Sequence, residues 1–268
     1  MSNDADISVS DAVISYGRKR IVHGVSLTAR AGDLTVLVGP NGCGKSTLLK
    51  GMARVVPLTQ GEIRLGDQDV HRASTRSIAR KLALLPQGPI APEGLTVREL
   101  VAQGRFPHQT LLRQWSKQDT EAVDTAMEQA DVAQFADQPL NDLSGGQRQR
   151  CWIAMILAQD TPVMLLDEPT TFLDLKVQID LLQLLASIAH GKARAVVVVL
   201  HDLNVAAAFA DRMIMMRDGK ICADGPVSEV FTRENLQTVF GLSADVMRAP
   251  MSNRLVCIPA AQIRLAAE

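Results

Sequence analysis

Eight residues, Gly39-Pro40-Asn41-Gly42-Cys43-Gly44-Lys45-Ser46, constrain the architecture of this chain more than any other stretch. They follow the apolar run Leu34 to Val38 and lead into Ser46 to Met52, whose texture is helical, so the segment reads as strand, glycine turn, helix. The spacing Gly-x-x-x-x-Gly-Lys-Ser lets backbone N–H groups turn toward phosphate oxygens with no Cβ in the way. A helix starting at Lys45-Ser46 directs its dipole and free N–H groups at the same anion. Lys45 supplies a point charge for the β- and γ-phosphates, and the Ser46 hydroxyl suits Mg²⁺.

A second run, Val163-Met164-Leu165-Leu166-Asp167-Glu168, is apolar until its two closing acids. It reads as a sheet strand with both carboxylates at its carboxyl end, where α/β sheets bind ligands. Asp167 would hold Mg²⁺, directly or through water. Glu168 points elsewhere and can polarise an attacking water, a role worth about 10²- to 10⁴-fold in rate.

The rest of the chain supplies strands and helices to build around these two pieces. Ile7 to Ser15 alternates apolar and polar residues, while Leu82 to Leu85 and Ala195 to Leu200 are apolar throughout. The pattern predicts helices at Val97 to Gln103, Lys117 to Ala130, Cys151 to Leu157 (capped at Ser144) and Val177 to Ala189. Apolar strands separated by helices indicate an α/β fold, a mostly parallel sheet covered on both faces. Helical texture between strand-rich stretches indicates an inserted lobe at 89–158, with a core formed by 1–88 and 159–240. Residues 241–268 are a weakly patterned tail.

Bulk properties narrow the class. A net charge of -1 gives no strong field for nucleic acid or anionic lipid. Four scattered cysteines form no CxxC pair, which fits reduced thiols in a cytosol. The start, Met1 to Ser10, is acidic and polar and does not read as a secretory signal. The longest apolar runs are strand-length, short of the roughly 20 residues a bilayer needs. The expectation is a soluble protein whose membrane role, where it has one, comes through a partner.

Leu143-Ser144-Gly145-Gly146-Gln147 is the third motif: a second anion-binding helix start, without a lysine. The three motifs in this order resemble the ATP-binding-cassette (ABC) family of ATPases, over roughly residues 7–240. The resemblance implies a P-loop NTPase core with a mostly parallel sheet, an N-terminal antiparallel β subdomain and an inserted α-helical subdomain, with ATP and Mg²⁺ as ligands. It assigns ATP to Tyr16, stacked on adenine, to Gly39, Pro40, Asn41, Gly42, Cys43, Gly44, Lys45, Ser46 and Thr47, and to Gln87. Mg²⁺ would meet Ser46, Gln87 and Asp167. Glu168 and His201 would be catalytic, the histidine sensing the γ-phosphate. Leu143, Ser144, Gly145, Gly146 and Gln147 would cover the ATP held by a second copy, and Asp174 would lie in a loop crossing that interface. Two departures are mild: Phe172 stands where many members have a small residue or tryptophan, and Cys43 is a loop variant that could make the site alkylation-sensitive.

Further segments resemble a subclass. Gly104-Arg105-Phe106-Pro107-His108-Gln109, Trp115, Gln147 to Met155 and Asp167 to Asp174 are similar to the ATPases of bacterial ferric-siderophore importers, which share their architecture with haem and cobalamin importers. This implies a homodimer working on two transmembrane permease subunits, served by an extracytoplasmic substrate-binding protein, with the chain peripheral on the cytoplasmic face of the inner membrane and no nucleic acid bound. The alternatives are an ATPase for haem or cobalamin import, or a non-transport ABC ATPase acting on nucleic acid or in cluster assembly. Arg72, Arg76 and Arg80, spaced by four, read as one face of a helix, solvated or turned to lipid headgroups.

Overall fold

The structure is a computed structural model describing residues 5–110 and 115–260. Its strands in chain order are β1 (Ile7–Tyr16), β2 (Lys19–Ala29), β3 (Leu34–Val38), β4 (Gln60–Leu65), β5 (Gln68–Asp69), β6 (Leu82–Leu85), β7 (Val163–Asp167), β8 (Ala195–Val199), β9 (Arg212–Arg217), β10 (Lys220–Pro226), β11 (Ala244–Arg248) and β12 (Leu255–Pro259). The helices are α1 (Lys45–Met52), α2 (Thr75–Ala79), α3 (Val97–Gln103), α4 (Lys117–Gln129), α5 (Gly145–Ala158), α6 (Leu175–Lys192), α7 (Leu203–Phe209), α8 (Val227–Val230) and α9 (Arg233–Phe240).

Among the described residues the central sheet has the order β10-β9-β3-β8-β7-β6. All its neighbours run parallel except the β9–β10 pair. Every residue of β3, β7 and β8 is buried, which is why these strands read as unbroken apolar runs. Alternate residues serve opposite faces. Leu37, Leu165 and Val197 pack under α1 and the N-terminal strands, while Val36, Leu166 and Val198 pack toward α3, α5 and α6. A separate antiparallel sheet, β2-β1-β4-β5, covers the first face.

Three capping boxes start the lobe helices. Thr96 with Glu99 opens α3, Ser116 with Asp119 opens α4, and Ser144 with Gln147 opens α5. At the end of α3, Gly104 lies so close to α5 that a Cβ would stand 2.1 Å from the Met155 carbonyl oxygen. The next residue, Arg105, is 5% exposed; its Nε donates to Asp119 Oδ1 at 2.9 Å and its Nη1 to the Ala158 carbonyl at 2.7 Å. The Gly104 to Gln109 stretch therefore welds three helices, and lobe and sheet share one apolar cluster.

Two expectations change. The arginines do not share a helix face, because α2 covers only Thr75–Ala79. Arg72 lies before it and pairs with Asp69 at 3.2 Å. Arg76 and Arg80 stay exposed, as a solvated face requires, and each also donates through Nε to the Pro107 carbonyl, at 3.1 and 2.9 Å, tying α2 to the lobe. The weakly patterned tail, within its described residues, is an ordered hairpin, β11 against β12, packed on α7.

Candidate functional site

The glycine turn delivers α1 to the carboxyl end of the sheet. Gly44, at φ +107°, occupies the N-cap of α1 with no side-chain cap, so the first N–H groups of the helix have no protein side chain claiming them. Lys45 is 5% exposed; its Nζ donates to the carbonyls of Gly39 at 2.8 Å and Pro40 at 3.2 Å. Cys43 lies behind it, Sγ 4.0 Å from that ammonium. Burial pushes the Cys43 thiol up, outweighing the nearby Lys45 charge, so it stays protonated at neutral pH.

Ser46 and Asp167 meet across the strand–helix junction, Oγ donating to Oδ1 at 2.8 Å. The other oxygen, Asp167 Oδ2, is buried without a hydrogen-bond partner. Burial raises the Asp167 pKa, with the Glu168 charge adding to the rise and Ser46, Lys50 and Lys45 opposing it. A buried carboxylate oxygen left bare beside a hydroxyl is a donor set that a hard divalent cation satisfies, so these residues fit Mg²⁺.

Glu168 holds a left-handed backbone, φ +53°, that turns its side chain away from Asp167. Its Oε1 is 2.6 Å from His201 Nε2. Its Oε2 accepts from Gln87 Nε2 at 2.7 Å and from Thr171 Oγ1 at 3.3 Å. Gln87 follows β6, Glu168 follows β7 and His201 follows β8, so three neighbouring strand ends bring these side chains together. With Asn41, Gly42, Gly44, Lys45, Ser46, Thr47 and Ile21 they line one cavity of about 500 Å³. Ile21 and Thr171 were missed by sequence reasoning. Thr171 carried a signal, a hydroxyl three residues after an acid; Ile21 carried none.

Tyr16 sits at the end of β1, half exposed, and is not among the residues lining that cavity. Ser144, Gly145, Gly146 and Gln147 line a different cavity of about 400 Å³, together with Phe172 and Asp174. Leu143 is buried beneath them. The Asp174 carboxylate caps α6 by accepting from the Val177 N–H at 3.0 Å. Phe172 is fully exposed and has φ +65°. No residue lines both cavities; a third, of about 330 Å³, lies between them, with Gln87 and Glu168 of the first and Gly145 and Phe172 of the second in its lining.

Residues 22–171 match the ABC transporter family. The chain is 46% identical over 246 residues to the petrobactin import ATP-binding protein FpuD of Bacillus anthracis, covering 92% of this chain and 90% of that one. It is 44% identical over 252 residues to the iron(3+)-hydroxamate import ATP-binding protein FhuC of Bacillus subtilis, covering 94% of each. Among solved structures it resembles the dimeric structure of MJ0796, a bacterial ABC transporter cassette, with a TM-score of 0.73 and 28% identity over 82% of this chain and 98% of that one.

Proposed function

This chain belongs to the ABC transporter family, and on that premise we propose that it is the ATP-hydrolysing subunit that powers import of an iron chelate, a ferric siderophore, through a membrane permease. The observation that carries the chemistry is the convergence of Lys45, Ser46, Gln87, Glu168 and His201 on one cavity, with Asp167 bonded to Ser46 behind its wall. Lys45 leaves the loop carbonyls for the β- and γ-phosphates. Ser46, Asp167 and Gln87 would hold Mg²⁺, which when bound neutralises phosphate charge. Glu168 takes the proton from the attacking water, and His201 orients the same carboxylate and senses the γ-phosphate. Tyr16 stacks on adenine.

That Ser144, Gly145, Gly146 and Gln147 lie outside the lining of the phosphate-loop cavity supports a homodimer. ATP on the phosphate loop of one copy is covered by Ser144, Gly145 and Gly146 of the other, with Asp174 crossing the interface. The dimeric ABC cassette of similar fold supports the same reading. Closure on ATP moves the helical lobe and, with it, a cytoplasmic helix of each of two permease subunits; hydrolysis reopens the pair. The driving force is differential affinity for ATP in the closed and open states. No helix among the described residues is long and apolar enough to cross a membrane, so the chain reaches the bilayer's cytoplasmic face through the permease. An extracytoplasmic binding protein delivers the cargo. The iron-import names of its relatives support the cargo class and differ in the chelate.

The test is genetic and biochemical together. A deletion strain should lose uptake of ferric siderophore, recover it with the wild-type gene, and not recover it with Glu168→Gln. The tagged chain should come out of detergent extracts with an integral membrane protein. Normal ferric-siderophore uptake in the deletion strain removes the cargo assignment. Recovery with RNA or DNA in place of a membrane protein removes the transport reading.

A further inference from the structure

His201 has little of its own to hold it. Its side chain is 43% exposed, and its charged partner is the Glu168 carboxylate at 2.6 Å. Its position is therefore set by the backbone on either side. Upstream, β8 is fixed by the sheet, with the Leu200 N–H donating to the Leu37 carbonyl at 3.1 Å. Downstream, after one further residue, α7 begins with Asp202 as its N-cap, whose Oδ1 accepts from the Val205 N–H at 2.9 Å. Whatever fixes α7 fixes the second end of the histidine's tether.

The hairpin fixes α7. Asn204, in its first turn, donates through Nδ2 to the Cys257 carbonyl at 3.2 Å and accepts through Oδ1 from the Cys257 N–H at 2.7 Å. One side-chain amide thus offers β12 the donor and acceptor that a neighbouring strand would offer, on the edge β11 leaves open. Sliding β12 by one residue would turn the N–H and C=O toward its other edge and break both bonds. Behind them Val205, Ala206 and Ala207 share the apolar cluster with Cys257 and Ala244, so the contact is backed by packing.

We infer that Asn204 is a positioning residue for the hydrolysis reaction: clamped to Cys257 of the C-terminal hairpin, it fixes the first turn of α7 and thereby holds His201 against Glu168. This gives the hairpin a part in turnover, and it rests on the reading of His201 as a catalytic residue. Asn204 itself is exposed and lies outside the nucleotide cavity, so truncating it leaves no hole in the core.

Steady-state ATP hydrolysis by the full chain tests it, with thermal unfolding measured on each variant. Asn204→Ala should lower kcat about tenfold, short of the ~10²-fold that a full ångström of misplacement can cost, while KM for ATP moves by less than about twofold. Asn204→Gln, which keeps the amide, should regain about half of the lost kcat. In a His201→Ala background, Asn204→Ala should cost nothing more, because its effect passes through the histidine. A wild-type kcat for Asn204→Ala overturns the inference, and so does a full additional loss in the double variant, which would mark a purely structural clamp. A crippled His201→Ala beside an unaffected Asn204→Ala refutes the inference alone. A fully active His201→Ala refutes the catalytic reading of His201, and the inference with it.

Discussion

Neutralising Glu168 should stop turnover while leaving the fold and nucleotide binding in place. The carboxylate has three partners: His201 Nε2 at 2.6 Å, Gln87 Nε2 at 2.7 Å and Thr171 Oγ1 at 3.3 Å. In Glu168→Gln, the remaining oxygen still accepts from Gln87 and Thr171. The new NH₂ turns to His201, whose Nε2 accepts when the ring proton sits on Nδ1. Every local bond has a replacement, so stability should change by no more than about 0.5 kcal/mol. What disappears is the only step a carboxamide cannot perform, accepting a proton from water. That role is worth about 10²- to 10⁴-fold, or roughly 2.7–5.4 kcal/mol of barrier. Lys45 and the glycine turn do not depend on Glu168, so ATP affinity survives and the ATP-loaded pair accumulates. Phosphate release gives the rate, and size-exclusion chromatography with Mg²⁺ and ATP gives the assembly. Phosphate release within about threefold of wild type would show that water activation does not pass through Glu168. A rate loss with no ATP-dependent dimer would leave the base assignment standing and sink the two-copy site.

Other substitutions test the supporting structure. Arg105→Ala should cost about 3 kcal/mol in denaturant unfolding, the low end for breaking a buried pair, because Ser116 still holds Asp119 through its N–H and hydroxyl. The same carboxyl links stability to acid. Burial raises its pKa, but the bonds from Ser116 and Arg105 together win and hold it below the usual aspartate value of 3.8. A depressed folded value means the contribution is fully present above that pH and is lost as pH falls below it, so Asp119→Asn should flatten the acid limb of an unfolding titration there. Gly104→Ala should destabilise by about 2–3 kcal/mol, since its Cβ would meet a backbone oxygen that no side-chain rotation can move. Phe172→Gly should instead stabilise the isolated chain by about 0.5–1 kcal/mol. It relieves a left-handed aromatic at about 1–2 kcal/mol and gives back part of that in unfolded-state entropy.

The site is legible in the sequence to the extent that its parts are local. The phosphate loop, the acid pair and the signature each declare a strand end or helix start within a few residues; the chemistry of the residue types suggests a role for the first two, and the family resemblance alone suggests one for the third. The strands β3, β6, β7 and β8 read well because burial makes them apolar throughout, whereas β9, with Met213 to Met216 equally buried, goes unread. The N-terminal sheet reads poorly for a definite reason: β1 and β2 slip register near Ala12 and again near Ser15, so the apolar residues of β2, Val22, Val25, Leu27 and Ala29, lose their even spacing. Ile21 reaches the nucleotide cavity from that irregular strand, and nothing local to it says so.

A second hidden class is side chains whose partners are backbone groups far along the chain. Arg76 and Arg80 are exposed and look like a solvated face and nothing more, until the Pro107 carbonyl is placed between them. Gly104 looks like a helix stop, but the constraint on it is the Met155 carbonyl of another helix. Asn204 looks like one polar residue among many in a first turn, yet it meets both backbone groups of Cys257, 53 residues on. A carbonyl is the same in every residue, so such contacts leave no compositional mark on the acceptor. Motifs therefore disclose where the chemistry happens, and the carbonyl contacts disclose what holds the chemistry at its working distance. That division is why residues that meet at the cavity could be named from motifs and the family resemblance, while the elements that keep Gln87, Glu168 and His201 within hydrogen-bond reach of one another emerge only from the fold.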